Sequence, residues 1–280
     1  MGNCVTALAL APPFPIALPA PPWARWRVAL AYRWRHGRWP DLDAPARFTE
    51  WVQWRKLNDR RQQLALLTDK AHAKSIAEAR LAPEQSIPTL WLGEQLPDVA
   101  PWPMPFIVKA NHGCGQFVVV RNGDDYEAAK AAAPRWLARA YGGWLDEWHY
   151  GAARRLVLVE PYIGGADLPL DYKVYVFGGR AALVQVHSER GARHRWSQYD
   201  LDWQPLSNDP IAVDAPDCLP AMIAAAEAMG EGETFVRVDF YCEGGALKFG
   251  EFCLYPGSGL DPFTPDQLDV DLGALWSRSA

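Results

Sequence analysis

The chain has 280 residues, 49% of them hydrophobic and 22% charged, with 28 basic against 33 acidic side chains and a formal net charge of −5. That balance excludes general disorder and a polycation that coats nucleic acid, and the length suffices for one bilobed unit or two small domains. Five cysteines, Cys4, Cys114, Cys218, Cys242 and Cys253, are spread out with no CxxC pair. This spacing argues against a disulfide framework or a Cys-rich zinc site and fits a reducing cytoplasm.

Residues 5–26 are apolar, but Pro12, Pro13, Pro15, Pro19, Pro21 and Pro22 interrupt any helix that would cross a bilayer. No basic residue precedes the apolar part, so no secretory signal is expected either. Met1-Gly2-Asn3-Cys4-Val5-Thr6 matches the loose pattern for N-myristoylation; the preferred reading is a plain Pro-rich arm. Residues 23–54 interleave Trp23, Trp26, Trp34, Trp39, Trp51 and Trp54 with arginines. Such residues can stack on bases or sugars. The commoner outcome, and the one expected here, is a small helical lobe with arginine stems packed on indoles.

Downstream, residues 49–67 read as one helix, and Thr68 as the N-cap of a second that begins at Asp69 and Lys70. The Pro-rich stretch 81–105 suggests a connection with a short strand or two. Residues 106–110 and 116–121 form an expected hairpin around Asn111-His112-Gly113-Cys114-Gly115. A helix follows over 124–141, then a buried strand over 156–160. Residues 172–177 and 181–187 make a second hairpin about Gly178-Gly179, 219–229 a helix, and 235–242 with 247–252 a last hairpin. Strands and helices mix without strict βαβ alternation, so the class is α+β.

Three places carry candidate chemistry. Lys109 ends an apolar strand beside Gly113 and Gly115, which let backbone N–H groups approach a phosphate. The Walker pattern GxxxxGK[ST] is absent. Glu160-Pro161-Tyr162-Ile163 leaves a buried strand as an extended linker that can offer backbone groups to an adenine edge; its bland alternative is a strand-exit turn. On the last hairpin, Arg237, Asp239 and Tyr241 share one strand face. A three-residue loop Gly244–Ala246 would pair Glu243 with Leu247 and set Asp239 opposite Glu251, with Cβ atoms about 4.5–5.5 Å apart. Two carboxylates that close repel unless a cation or a proton sits between them, and oxygen ligands favour Mg²⁺ or Mn²⁺ over zinc. A solvated strand face is the alternative. Arg190, Arg193, His194 and Arg195 are candidates for an anionic substrate, and His112 and His187 for acid–base work. Asp200-Leu201-Asp202 has the spacing of a glycosyltransferase metal motif.

Taken in order, Trp54-Arg55-Lys56-Leu57-Asn58-Asp59-Arg60, Thr68-Asp69-Lys70, Phe106 to His112, Val159-Glu160, Asp171-Tyr172-Lys173, Val236 to Asp239 and Phe249-Gly250-Glu251 make the chain resemble ATP-grasp proteins, and most closely the TupA-like branch linked to polysaccharide biosynthesis. The resemblance runs from about residue 51 to 276. It implies two α+β lobes whose antiparallel sheets clasp ATP. An N-terminal extension over 1–48 would precede an ATP-grasp domain over 49–280, itself made of a helical part (49–105), a small ATP-binding lobe (106–160) and a catalytic lobe (161–280).

The resemblance further implies that Lys70 and Lys109 hold the ATP phosphates, with His112, Gly113, Cys114 and Gly115 at a flexible lid. Glu160, Pro161, Tyr162 and Ile163 would match the adenine hinge and Asp167 the ribose site. Lys173 would face the transferred phosphate, Arg237 would steady phosphate and oxyanion, and Asp239 and Glu251 would hold magnesium. One departure stands out: Cys253 occupies the position where many such enzymes have Asn, and a neutral thiol is a poor Mg²⁺ ligand. The implied activity is an ADP-forming carboxylate ligase joining a small or polymer-linked carboxylate to an amine or other nucleophile, in the cytoplasm, with no nucleic acid partner. The rival readings are a glycosyltransferase and a non-catalytic ATP-binding partner protein.

Overall fold

The computed structural model describes residues 19–165, 168–188 and 195–280. The helices are α1 (Ala24–His36), α2 (Phe48–Asn58), α3 (Gln62–Thr68), α4 (Lys70–Arg80), α5 (Gly123–Leu137), α6 (Trp148–Ala152), α7 (Leu219–Gly230) and α8 (Asp266–Ser279). The strands are β1 (Trp91–Gly93), β2 (Phe106–Ala110), β3 (Phe117–Val120), β4 (Val157–Pro161), β5 (Asp171–Phe177), β6 (Arg180–Ser188), β7 (Arg195–Tyr199), β8 (Phe235–Glu243) and β9 (Ala246–Cys253). They build two antiparallel sheets, in the orders β1-β4-β2-β3 and β7-β6-β5-β8-β9. The α+β class follows directly. Among the described residues no helix is long and apolar enough to cross a membrane.

Each sheet has its own core. In the small sheet, β2 alternates buried Phe106, Val108 and Ala110 with half-buried Ile107 and Lys109. The buried face packs with Val157 and Val159 of β4 on Tyr126, Ala129 and Ala133 of α5. Alternation therefore aims Ile107 and Lys109 away from α5, toward the other lobe. In the large sheet, β5 is buried along its whole length. Val174, Val176, Val236 and Val238 sit among Phe48, Met222 and Trp276 from three helices. Burial of each such side chain contributes about 1.5–3 kcal/mol.

Three local expectations need correction. Residues 49–67 do not form one helix: the chain breaks between α2 and α3, where Asp59 takes a bidentate pair from Arg61 at 2.9 Å. The N-cap of α4 is Asp69, whose carboxylate accepts the His72 amide at 3.0 Å, whereas the Thr68 hydroxyl donates to Leu64 O at 2.9 Å. The helix expected over 124–141 begins behind the Asn122 cap and ends at Leu137.

The last hairpin holds a compensating pair of differences. Its loop is the two-residue Gly244-Gly245, with φ of +56° and +78°, so Glu243 pairs with Ala246 and not with Leu247. Left-handed backbone at both positions suits glycine and the twist of a hairpin. The one-residue difference is then undone by a bulge between the Phe240–Phe249 and Asp239–Glu251 pairs. The extra residue is Gly250, where a Cβ would lie 3.0 Å from Asp239 O. Asp239 and Glu251 do face each other across β8 and β9, through a bulge absent from the expected ladder.

Cys218 and Cys242 are joined as a disulfide, linking the start of α7 to β8. The expectation of no disulfide framework missed this pair because 24 residues of separation carry no recognisable spacing. The Trp/Arg-rich stretch takes the structural role expected of it only in part: Arg27 lies over Trp23 at 4.3 Å and Arg33 over Trp39 at 5.7 Å, while Trp26 and Trp34 stay exposed. The described part of the 1–48 stretch is seated on the rest of the protein: Arg35 donates to Leu260 O at 2.9 Å, and Arg47 pairs with Asp266 at 2.9 Å. The myristoylation pattern and most of the Pro-rich arm lie outside the described residues.

Candidate active site

The two sheets face each other across a cleft of about 750 Å³. That size suits a nucleotide or comparable ligand. Lys109 and Ile107 of β2 and Glu160 to Ile163 at the exit of β4 line one wall. Lys173 of β5, Arg237 of β8, and Glu251 and Cys253 of β9 line the other, while Lys70 enters at the start of α4. The Gly113-Cys114-Gly115 turn closes one side, and Lys70 Nζ donates to Gly113 O at 3.0 Å.

Charge in the cleft is organised into three linked groups. Glu160, buried at the end of β4, is held by both Lys74 and Lys109. Asp239, also buried, accepts two bonds from Arg237 and one from Lys173, all at 2.7 Å, and Lys173 is held in addition by Asp171. Lys70 Nζ lies 2.7 Å from Glu251 Oε2 and ties the α4 side to the large sheet. Together these are five cations and four carboxylates, leaving an excess of positive charge before any ligand arrives.

The ionisation directions follow from this pairing. Burial disfavours the charged forms of Lys70 and Lys173, yet Glu251 in one case and Asp171 with Asp239 in the other hold both ammonium groups above the usual lysine value. For Lys74 burial prevails, and its value falls despite Glu160. Glu160 and Glu251 would be raised by burial, but their lysine partners bring both below the ordinary glutamate value. Arg237, opposed by burial but paired with Asp239, is driven further up and stays charged. Cys253 is pushed to about 12 by burial, against the pull of Arg237, so its thiol is neutral.

Most residues singled out from the sequence line this cleft: Lys70, Lys109, Gly113, Cys114, Gly115, Glu160, Pro161, Tyr162, Ile163, Lys173, Arg237 and Glu251. Three placements differ from expectation in detail. His112 is fully buried and turned away from the cleft, its Nε2 at 3.1 Å from Trp136 O. The Glu160 carboxylate faces lysines, so only the backbone of this linker remains for an adenine, and the Tyr162 amide already donates to Pro105 O at 3.2 Å. Asp239 lies behind Arg237 and Lys173 and does not line the cleft itself. Asp167, Arg190, Arg193 and His194 lie outside the described residues.

Arg195 is exposed and 3.5 Å from Asp209, and His187 reaches the cleft beside Trp196. Asp200-Leu201-Asp202 is a turn: the Asp200 carboxylate accepts the amides of Asp202 and Gln204 at 3.0 and 2.7 Å. That turn does not line the cleft, so the Asp-x-Asp spacing here is structural.

Sequence reasoning gave no role to two members of the cluster. Lys74 follows Lys70 by four residues and so shares its helix face; Asp171 precedes Lys173 by two on one strand face. Both spacings were visible, but nothing local says that those faces are buried against carboxylate or ammonium partners.

The family model described as TupA-like ATPgrasp matches residues 50–277. The chain belongs to the TupA-like ATP-grasp family. Solved structures similar to this ATP-grasp chain include the D-alanine–D-alanine ligase of Helicobacter pylori, 16% identical with a TM-score of 0.46 over 77% of this chain and 59% of that one. The D-alanine–D-alanine ligase of Bacillus anthracis is 15% identical, TM-score 0.48, over 76% and 67%. The ADP complex of purK, an N5-carboxyaminoimidazole ribonucleotide synthetase, is 15% identical, TM-score 0.49, over 74% and 50%. The chain thus spans about three fifths of the first and half of the last of these relatives. No curated protein matches it.

Proposed function

We propose that this ATP-grasp protein is an ADP-forming carboxylate ligase. In the reaction envisaged, a substrate carboxylate attacks the γ-phosphorus of ATP, giving an acyl phosphate and ADP. An amine or other nucleophile then attacks the acyl carbon and releases phosphate. The observation that carries this reading is the convergence of Lys70, Lys109, Lys173 and Arg237 on one cleft between two sheets. Phosphoryl transfer asks little of a protein beyond positioning and neutralisation of charge on the equatorial oxygens, and fixed cations lining a cleft supply both. The Gly113-Cys114-Gly115 turn, already held by Lys70, is suited to shield an acyl phosphate from water.

A divalent cation fits the donor set within limits. Among the described residues no three His, Cys, Asp or Glu gather as a metal cage. Asp239 and Glu251 face each other with oxygen donors only, the pattern of Mg²⁺, which keeps waters and substrate phosphates as its remaining ligands. They would hold it, and it would supply charge neutralisation at the phosphates. Lys70 on Glu251 and Arg237 with Lys173 on Asp239 balance those carboxylates in the protein alone. We read these pairs as exchangeable, the lysines turning to phosphate as ATP binds. Cys253, neutral and facing the cleft, leaves the second-metal position of related enzymes without a good ligand.

The acid and the nucleophile belong, in this reading, to polysaccharide or peptide-conjugate biosynthesis, following the branch of the family. Amino and uronic acids are the substrates to screen. The test is acid-dependent ADP and phosphate release. Glu251→Gln and Lys109→Ala should each lower it by about a hundredfold or more, and undiminished release in either variant would remove the assignment.

A further inference from the structure

The cleft-facing side of the large sheet continues past Lys173. The ladder pairs Glu251 with Asp239, Asp239 with Lys173, Lys173 with Gln185 and Gln185 with Gln198. These five side chains form one row across β9, β8, β5, β6 and β7. At about 4.8 Å between neighbouring strands, Gln185 stands about 5 Å and Gln198 about 10 Å beyond Lys173, on the side away from Glu251. The two glutamines line a recess of about 40 Å³ that opens from the cleft, since His187, Arg237, Gly257 and Asp261 border both. Phe48, Pro262 and Phe263 supply its apolar walls. At about 10–15 Å³ for each water-sized group, the recess holds about three such groups, the size of one carboxylate.

The polar lining of this recess is arranged to donate. Gln185 and Gln198 are only 7% and 4% exposed. Gln185 Oε1 accepts the Tyr175 hydroxyl at 2.7 Å. Ser207 Oγ accepts the Gln198 backbone amide at 2.9 Å and gives its own proton to Gln198 Oε1. Both side-chain oxygens are therefore taken, and neither side-chain NH₂ meets an acceptor among the described residues. Arg237 commits Nε and Nη2 to Asp239, which leaves Nη1 over. Buried donors of this kind cost free energy that the oxygens of a ligand would recover. Asp261 is the one carboxylate bordering the recess among the described residues. It is exposed and 3.9 Å from Arg35, so solvent and that guanidinium both screen it.

We propose that this recess seats the carboxylate of the acid substrate, with the Gln185 and Gln198 amides donating to its oxygens and Arg237 at its entrance. Its place in catalysis rests on the ligase reading above. The row then runs from the Asp239–Glu251 end, through Lys173 at the transferred phosphate, to the acid. A carboxylate oxygen held there forms its bond to the γ-phosphorus as the bond from that phosphorus to ADP breaks. Neutral amides hold a carboxylate by weaker bonds than cations do, and so quench less of the charge that attacks. The recess is too small for a sugar ring, so the rest of the acid extends into the cleft of about 750 Å³.

The experiment is saturation-transfer NMR on the full chain without nucleotide, with propionate and its neutral counterpart 1-propanol as probes. Propionate should bind about tenfold more tightly than 1-propanol. Gln185→Glu and Gln198→Glu keep the oxygen that Tyr175 or Ser207 bonds but replace the donor NH₂ by an acceptor. Each should weaken propionate about tenfold or more and leave 1-propanol unchanged. Gln198→Met removes the donor without adding charge and should lose propionate in the same way, with melting curves reporting that each variant is folded. Equal binding of propionate and 1-propanol by the parent would overturn the proposal, as would parent-like propionate binding by folded Gln185→Glu or Gln198→Met. No ATP is present, so this result is separate from the ligase reading, which stands or falls on acid-dependent ADP release.

Discussion

The two walls of the cleft handle buried charge in opposite ways. On the small sheet, one carboxylate, Glu160, is shared by two lysines, and the group keeps a net positive charge. On the large sheet, Lys173 and Arg237 are matched by Asp171 and Asp239, and Lys70 by Glu251. The balanced wall can hold its geometry with no ligand present. The cation-rich wall has charge left over for an anion. The difference shows how a site can be pre-formed on one side and demanding on the other, which suits a ligand that is itself a polyanion.

The sharpest way to break the comparison is Asp239→Asn. It leaves Arg237 without its bidentate partner and Lys173 with Asp171 alone, in surroundings that exclude water. A loss of about 4 kcal/mol in urea unfolding is expected, together with loss of ADP formation. Glu160→Gln should cost somewhat less, about 3 kcal/mol, because Lys109 lies at the cleft edge and can rehydrate. This variant also bears on pH. Glu160 is held below the ordinary glutamate value, so its contribution is complete above about pH 4.3 and is lost as pH falls through the lower folded value. The parent's melting temperature should drop on acidification in that range, and the drop should be shallower in Glu160→Gln. The smallest effect belongs to the bulge. Gly250→Ala brings a methyl group to 3.0 Å from Asp239 O, and about 2 kcal/mol of destabilisation is expected, with a parallel loss of activity as Glu251 shifts.

Much of this was readable in the sequence because it rests on local rules. Alternating burial in residues 106–110, and the glycine pairs Gly178-Gly179 and Gly244-Gly245, mark hairpins whatever surrounds them. The order of the Lys, Glu, Asp and Arg motifs pointed to the cleft and to its charged and glycine-rich lining, though not to the wall of Tyr141, Trp144, Glu147, Tyr150 and Tyr255. What escaped was set by partners distant in the chain. Lys74 and Asp171 became members of the charge network only once Glu160 and Lys173 were packed beside them. His112 turned inward because the Trp136 carbonyl was there to bond it. The Asp239–Glu251 pairing was anticipated with the wrong loop, since a single inserted glycine at the bulge restores a register that the turn had shifted.

Composition and periodicity by themselves determined an α+β chain with Gly-turned hairpins and a lysine- and carboxylate-rich set of strand ends, because those follow from backbone stereochemistry and the alternation of side chains. Only the tertiary structure decided which charges neutralise one another, which tryptophans face water, and that Cys218 meets Cys242. Those outcomes depend on the mutual approach of two sheets and a helix, and the Coulomb and desolvation energies that govern them vary with distances no linear pattern contains.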